Sequence, residues 1–218
     1  VGAFGPNRPP LNDLEKYEGT SVFYMVRKRE EFRDKRIVIA GGGDSAVDWA
    51  LSLSEVAKSV QLVHRRPKFR AAPESVARLK TLEEEGKIEM VVPYQLEGLK
   101  GDGTTLEAVL VKDFDNQIRE LEADVLLPFY GLSQNLGPIA DWDLELEKKH
   151  LGVNPATMQT SQEGIFGIGD IITYENKLKL ILCGFSEAAI AARSAHGYAY
   201  PDTELHFEYS TSMGVPEK

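Results

Sequence analysis

The chain has 218 residues, and its 25 Lys and Arg against 34 Asp and Glu give a formal net charge of −9. Its 42% hydrophobic and 27% charged residues are typical of a globular protein and exclude a disordered or fibrous chain, while the acidic balance argues against a general nucleic-acid binder. No apolar run approaches the roughly 20 residues that span a bilayer, and the single cysteine, Cys183, indicates a reducing, cytoplasmic setting.

The first part of the chain predicts a linker and then a βαβ unit. Residues 1–19 begin Gly- and Pro-rich and predict a crossover linker, and a strand is expected over Thr20–Val26. Ile37–Ala40 predicts a buried parallel strand, Asp44–Val56 has helical periodicity, and Val60–His64 predicts a second strand. Together these segments have the size of a βαβ unit. The buried face of the helix is expected to hold Ala46, Val47, Ala50, Leu51 and Leu53, with Ala57 as a further candidate.

The next segments predict more of this sheet, interrupted by an antiparallel insert. A helix is expected over Pro73–Glu85 and a third strand over Ile88–Val92. Short alternating runs between Tyr94 and Glu122 predict an antiparallel meander, and Asp124–Phe129 predicts a return to a buried strand. Residues 20–130 therefore predict one α/β domain with a parallel sheet and a meander.

A second domain is expected over residues 131–218. It opens with a linker-like stretch, and a strand is predicted over Gly164–Ile168, followed by a turn at Gly169 and Asp170. A helix rich in small residues is predicted near Gly184–Tyr198, and the tail beyond it is aromatic and hydroxyl-rich.

A glycine pattern lies between the first predicted buried strand and its helix. Gly41 permits a tight turn, Gly43 lets the backbone approach a pyrophosphate, and Ala46 lets the helix pack against the strand. The helix N-terminus then offers N–H groups to the phosphates. Asp44 places a carboxylate near this anion, and we interpret it as a helix N-cap. An ordinary structural turn is the alternative interpretation.

A basic loop follows the second strand of the βαβ unit. An NAD site needs an acidic residue here for the ribose, but no Asp or Glu occurs between Gln61 and Ala72. Guanidinium groups suit the 2′-phosphate of NADP, and a solvated basic loop is the alternative. The residues expected to bind NADP are Gly41, Gly43, Asp44, Ser45, Ala46, His64, Arg65, Arg66 and Arg70.

The sequences GGGDSAVDWAL and VHRRPKFRA resemble the NADPH domain of the thioredoxin-reductase-like flavoproteins, and Gly164–Asp170 resembles their second flavin motif. The resemblance implies a Rossmann-like NADP domain over 20–130 and the C-terminal part of a FAD/NAD(P)-binding domain over 131–218. It also implies that Asp170, with Ile171, binds FAD. The helix from Gly184 through Glu187 and Ala188 would point its N-terminus at the flavin.

Thioredoxin reductases carry a Cys-x-x-Cys pair that is absent from Phe23–Lys35, which excludes a dithiol relay. The chain therefore resembles the thioredoxin-reductase-like ferredoxin/flavodoxin–NADP reductases. That resemblance implies that the tail covers the flavin, with Tyr209 as the stacking ring, Phe207 as the competing ring, and Ser210 and Thr211 near the reactive nitrogen.

The same resemblance implies FAD and NADPH as cofactors, ferredoxin or flavodoxin as the electron carrier, and a homodimer when full length. The first flavin motif is absent, so we expect a fragment whose missing part precedes Val1. A reductase of a quinone or other small acceptor and a non-catalytic NADP-binding module are the alternatives. No catalytic acid or base and no metal ligand is expected, since the cofactors carry the hydride chemistry. The charged run Arg27–Arg36 is either a docking patch for an acidic carrier or a mixed-charge solvated face.

Overall fold

The computed structural model describes residues 4–205, which form an α/β fold as the sequence predicts. Two compact units are distinguished: Pro6–Ser133 form one, and the described residues on either side of that range form the other. Each unit has its own hydrophobic core. Among the helices within residues 4–205, none combines the length and the apolar character needed to cross a membrane.

From Arg36 to Pro128 the helices and strands follow the order that the sequence predicts, with shifted ends. The elements are, in chain order, β1 (Phe4–Pro6), α1 (Leu14–Tyr17), β2 (Arg36–Ala40), α2 (Asp44–Leu53), β3 (Ser59–Val63), α3 (Pro73–Glu84), β4 (Ile88–Val91), β5 (Gln95–Gly101), β6 (Leu106–Lys112), β7 (Ile118–Glu122), β8 (Val125–Pro128), β9 (Leu132–Gln134), β10 (Leu146–Glu147), β11 (His150–Gly152), β12 (Ile172–Thr173) and α4 (Ile181–Ala199). Short 3₁₀ turns cover Arg29–Phe32, Gly137–Asp141 and Gly169–Ile171.

A four-stranded parallel sheet in the order β4-β3-β2-β8 forms the centre of the first unit. Ile37 and Ile39 of β2 pack on the side of α2 and α3, whereas Val38 and Ala40 pack on the opposite side. Successive side chains of a strand point to opposite faces, so the continuous apolar run of β2 requires cover on both. The predicted buried face of α2 is confirmed for its five main residues, whereas Ala57 lies beyond the end of the helix and is partly buried.

The predicted meander is confirmed as the antiparallel sheet β5-β6-β7. Leu106 and Val109 of β6 and Leu121 of β7 are buried in the same cluster as Val38 and Leu126 of the parallel sheet. The meander therefore supplies the cover on the face of the sheet that carries no long helix.

Two predicted strands are wrong. Thr20–Val26 contributes isolated bridges at Val22 alone, because the Tyr17 carbonyl accepts the N–H groups of residues 20 to 22 and bends the chain into a turn. Gly164–Ile168 contributes a single bridge, between Phe166 and Gln159. In both segments the β-branched and aromatic side chains suggested a strand. They pack into the hydrophobic cores, but the backbone that carries them is irregular.

The second unit packs a small sheet against α4. Strands β10 and β11 are antiparallel, and β11 and β12 are parallel. Leu151 of β11, Ile172 of β12 and Ala191 of α4 form its core with Leu144 and Met158. The Gly169–Ile171 turn leads directly into β12, so this core fixes the position of the turn.

Candidate functional site

The glycine turn joins the carboxyl end of β2 to the start of α2. A Cβ at Gly41 would lie 2.6 Å from the carbonyl oxygen of Phe129 and 2.9 Å from the Cβ of Ala46. The Gly41 N–H also donates to the Val63 carbonyl at 3.0 Å. Protein packing therefore requires the first glycine, and Ala46 makes the close helix-to-strand approach that its size suggested.

The middle glycine, Gly42, carries a packing role that the sequence pattern does not include. A Cβ at Gly42 would lie 2.3 Å from the Cε1 and Nε2 atoms of His64, so the imidazole ring lies directly on this peptide. The ring also packs against Phe69 with centroids 4.9 Å apart. Burial, and then the nearby cationic groups led by Arg65 and Arg70, lower the pKa of His64, although a bond to the Lys68 backbone opposes the shift.

The third glycine, Gly43, has no such packing reason. A Cβ placed there would meet nothing within 4 Å, and its backbone angles of −98° and −179° suit any residue. Gly43 is the N-cap of α2 and supplies no side-chain cap. The helix N-terminus is thus open at the point where an anion would meet its free N–H groups.

Asp44 is not the N-cap that the sequence suggested, because the helix is capped by Gly43 and Asp44 is its first residue. Its Oδ1 atom instead accepts the N–H of Ala72 at 2.9 Å. The N–H of Arg70 donates to the Gly42 carbonyl at 2.7 Å. These two bonds attach the end of the basic loop to the glycine turn, a connection between residues about 28 positions apart in sequence.

Three guanidinium groups of the loop are free to bind an anion. Arg65, Arg66 and Arg70 are exposed, and within residues 4–205 no carboxylate lies within 4.0 Å of them. Ser45 is exposed in the first turn of α2. The structure therefore brings the two predicted halves of the nucleotide site, the glycine turn and the basic loop, into one place.

The charged run Arg27–Arg36 behaves differently. Arg29 pairs with Glu55 at 2.6 Å, and Arg36 pairs with Asp124 at 2.6 Å. Ion pairing within the protein neutralises much of the positive charge of this run, which favours the mixed-charge solvated face over a docking patch.

The predicted flavin motif forms the turn of Gly169–Ile171 in the second unit. Gly169 has a φ of +75°, a left-handed conformation that favours glycine, and the Asp170 side chain is exposed. Ile171 packs against the core of this unit. The turn therefore presents one carboxylate to solvent on a rigid base.

Helix α4 begins at Ile181 rather than at Gly184, so Glu187 and Ala188 lie in its second turn and not at its N-terminus. Ile181 and Leu182 are 83% and 77% exposed, and Phe185 is also exposed. Exposed apolar side chains grouped in this way are typical of a surface that binds a ligand or another part of a protein. The residues expected to cover the flavin, Tyr209 with Phe207, Ser210 and Thr211, lie outside the described residues.

Known proteins resemble the chain along nearly its whole length. Residues 1–194 match the model of the pyridine nucleotide-disulphide oxidoreductase family. Two curated relatives are both called ferredoxin–NADP reductase: one from Paramagnetospirillum magneticum is 63% identical, and one from Rhodospirillum rubrum is 60% identical. The matches cover 99% of this chain, 64% of the first relative and 63% of the second, so the chain spans less than two thirds of their length.

Solved structures share the fold of the chain. The thioredoxin reductase of Lactococcus lactis is 26% identical with a TM-score of 0.75, over 91% of this chain and 64% of that one. The thioredoxin reductase of T. acidophilum shares the fold at 22% identity, with a TM-score of 0.75 over 90% of this chain and 64% of that one. The resemblance inferred from the motifs is thereby confirmed: the chain belongs to the pyridine nucleotide-disulphide oxidoreductase family.

Proposed function

We propose that the protein containing this chain is a flavin-dependent oxidoreductase that passes electrons between NADPH and ferredoxin or flavodoxin through FAD. The observation that carries the proposal is the basic loop fixed beside the glycine turn. The names of the relatives, which are 60% or more identical in two cases, support the same activity. We further propose that the protein is cytoplasmic and homodimeric.

The first unit has the chemistry that NADP requires. The open space at Gly43 and the N-terminus of α2 would hold the pyrophosphate, because unpaired N–H groups and the helix dipole favour an anion there. Arg65, Arg66 and Arg70 would hold the 2′-phosphate with bidentate bonds. The bond from Ala72 to Asp44 keeps the loop in place, so the backbone that carries these side chains needs little reorganisation to bind.

The second unit fits part of a flavin site. Asp170 is an exposed acceptor that suits a hydroxyl group of the FAD ribityl chain, and Ile171 anchors the same turn. The exposed apolar residues at the start of α4 suit a large aromatic ring system. Tyr209 would stack on that ring, with Ser210 and Thr211 beside it.

The bound cofactors supply the hydride chemistry, whereas the chain supplies binding and orientation. No side chain is assigned as an acid, a base or a nucleophile. Cys183 is the single cysteine of this chain, whereas a disulfide relay needs two. Discrimination between NADPH and NADH would rest on the three arginines, since they would contact the one group that differs.

Anaerobic mixing of the complete protein with NADPH tests the proposal. Bleaching of a yellow flavin band by NADPH but weakly by NADH, followed by electron transfer to ferredoxin or flavodoxin, is expected. Electron transfer to a quinone alone would favour the small-acceptor reductase, and a colourless protein would favour the binding module.

The cofactor specificity has its own test. Arg66→Gln should raise the Kd for NADP⁺ about tenfold, the loss of one charge-assisted phosphate contact, and leave the Kd for NAD⁺ unchanged. Arg27→Gln is the matched control, because Arg27 is an exposed arginine outside the loop. Equal loss of NADP⁺ binding in both variants would refute the assignment of the loop.

A further inference from the structure

Glu187 is a buried carboxylate that no part of the proposed nucleotide chemistry uses. It is 2% exposed, and Ser21 is the other buried polar residue among residues 4–205. Its Oε2 atom accepts the N–H of Gly169 at 2.7 Å. Its Oε1 atom accepts the Tyr174 hydroxyl at 2.9 Å and forms an ion pair with Lys177, whose side chain is 5% exposed.

This carboxylate connects α4 to the turn that carries Asp170. Gly169 opens the turn in its left-handed conformation, and a Cβ at Gly184 of the helix would lie 3.6 Å from the Gly169 Cα. The helix and the turn are therefore in close contact, and a charge-assisted hydrogen bond holds them in register. The Asp170 side chain points to solvent from the next residue.

The three donors around Glu187 favour its ionised form. Burial acts to raise the pKa of Glu187, but the bonds from Lys177, from the Gly169 N–H and from Tyr174 outweigh burial and lower it. The negative charge is compensated locally by Lys177. The pair therefore supplies Gly169 with a strong acceptor without leaving a buried charge unpaired.

We propose that Glu187 is a positioning residue for the flavin: through the Gly169 N–H it fixes the turn, and thereby the direction in which Asp170 presents its carboxylate to FAD. Lys177 and Tyr174 hold Glu187 in place for this role. The inference rests on the proposed function, because it assigns FAD to the Asp170 turn. A pair that merely stabilises the second unit is the competing explanation.

Two charge-free variants of the complete protein separate these explanations. In K177M/E187Q the amide oxygen can accept the Gly169 N–H while the amide nitrogen donates to Tyr174. In K177M/E187M the side chain keeps its length but offers Gly169 no comparable acceptor. Both variants avoid an unpaired buried charge, so both are expected to fold. Glu175→Gln serves as the control, because Glu175 is an exposed carboxylate in the segment between the turn and Lys177.

Two measurements are made on each variant: the Kd for FAD by quenching of flavin fluorescence, and hydrogen exchange of peptides covering residues 165–175 without FAD. K177M/E187Q should bind FAD within about threefold of the wild type, whereas K177M/E187M should bind at least about tenfold more weakly. Faster exchange at the turn should accompany the weaker binding, and the control should match the wild type.

Equal FAD affinity and equal exchange in the two double variants would overturn the positioning role while leaving the proposed function intact. If the wild type itself fails to bind FAD, the proposed function fails and this inference fails with it. The two failures are thus distinguished by the wild-type titration.

Discussion

Alanine substitutions at Gly41 and Gly43 should separate protein packing from nucleotide binding within one turn. A methyl group at Gly41 would lie 2.6 Å from the Phe129 carbonyl oxygen and 2.9 Å from the Ala46 Cβ, whereas carbon atoms pack best about 3.5–4.0 Å apart. The Phe129 oxygen is a backbone atom and the Ala46 Cβ is bonded directly to the backbone, so neither can move away by a change of side-chain rotamer. Overpacking of this kind costs about 2 kcal/mol, and Gly41→Ala should lower the free energy of unfolding by that amount.

Gly43→Ala should behave in the opposite way. Its Cβ would meet no protein atom within 4 Å and its backbone angles are open to alanine, so the main expected cost is the weaker N-cap, well under about 1 kcal/mol. The same methyl group would occupy the space through which we propose that the pyrophosphate approaches the backbone. The Kd for NADP⁺ should therefore rise about tenfold or more.

Urea unfolding at 25 °C and calorimetric titration with NADP⁺, both on the complete protein, measure the two quantities. Wild-type affinity in Gly43→Ala would show that no phosphate approaches this peptide and would refute the assignment of the turn. Wild-type stability in Gly41→Ala would show that the contact with Phe129 relaxes without cost.

Two further predictions concern carboxylates of the first unit. Asp44→Asn should bind NADP⁺ at least as tightly as the wild type, because the bond to Ala72 is kept and a charge near the anion is removed. Asp44→Ala loses that bond and should bind NADP⁺ several-fold more weakly than Asp44→Asn. Equal titration curves for the two variants would contradict a role for the bond. The side-chain bond from Arg36 outweighs partial burial and lowers the pKa of Asp124. A carboxyl whose pKa is lowered on folding stabilises the fold above its unfolded pKa of about 3.9, and this contribution decreases as the pH falls below that value. The stability difference between the wild type and Asp124→Asn should therefore shrink between pH 6 and pH 3 in urea titrations. A difference independent of pH would contradict a stabilising ion pair between Arg36 and Asp124.

Patterns of apolar residues in the sequence predicted the strands and helices around the parallel sheet. The run Ile37–Ala40, the helical periodicity after Gly43 and the apolar run Val60–His64 each define an element, and the structure shifts their ends by at most three residues. The meander was equally visible, because alternation and turn dipeptides are short-range signals. Periodicity succeeds here because it reports which face of each element is buried.

Two of the errors have a shared physical cause. Thr20–Val26 has the composition of a strand, yet the carbonyl of Tyr17 takes the hydrogen bonds that a strand would give to its neighbour. Asp44 has the residue type and position of an N-cap, yet Ala72 offers its carboxylate a partner. In both cases a hydrogen bond whose partner lies outside the pattern decided the outcome.

The candidate site shows the same limit at the level of function. The pattern named Gly41 and Gly43 but assigned no role to Gly42, because the pattern describes what a nucleotide needs and not what the protein packs against itself. His64 supplies that packing from the end of the neighbouring strand: its ring fills the space over Gly42 while its three arginine neighbours stay exposed. A larger residue at position 42 would displace the ring and, with it, the start of the basic loop. For the packing of the protein, Gly42 is thus as necessary as Gly41, for a reason that only the paired strands make visible.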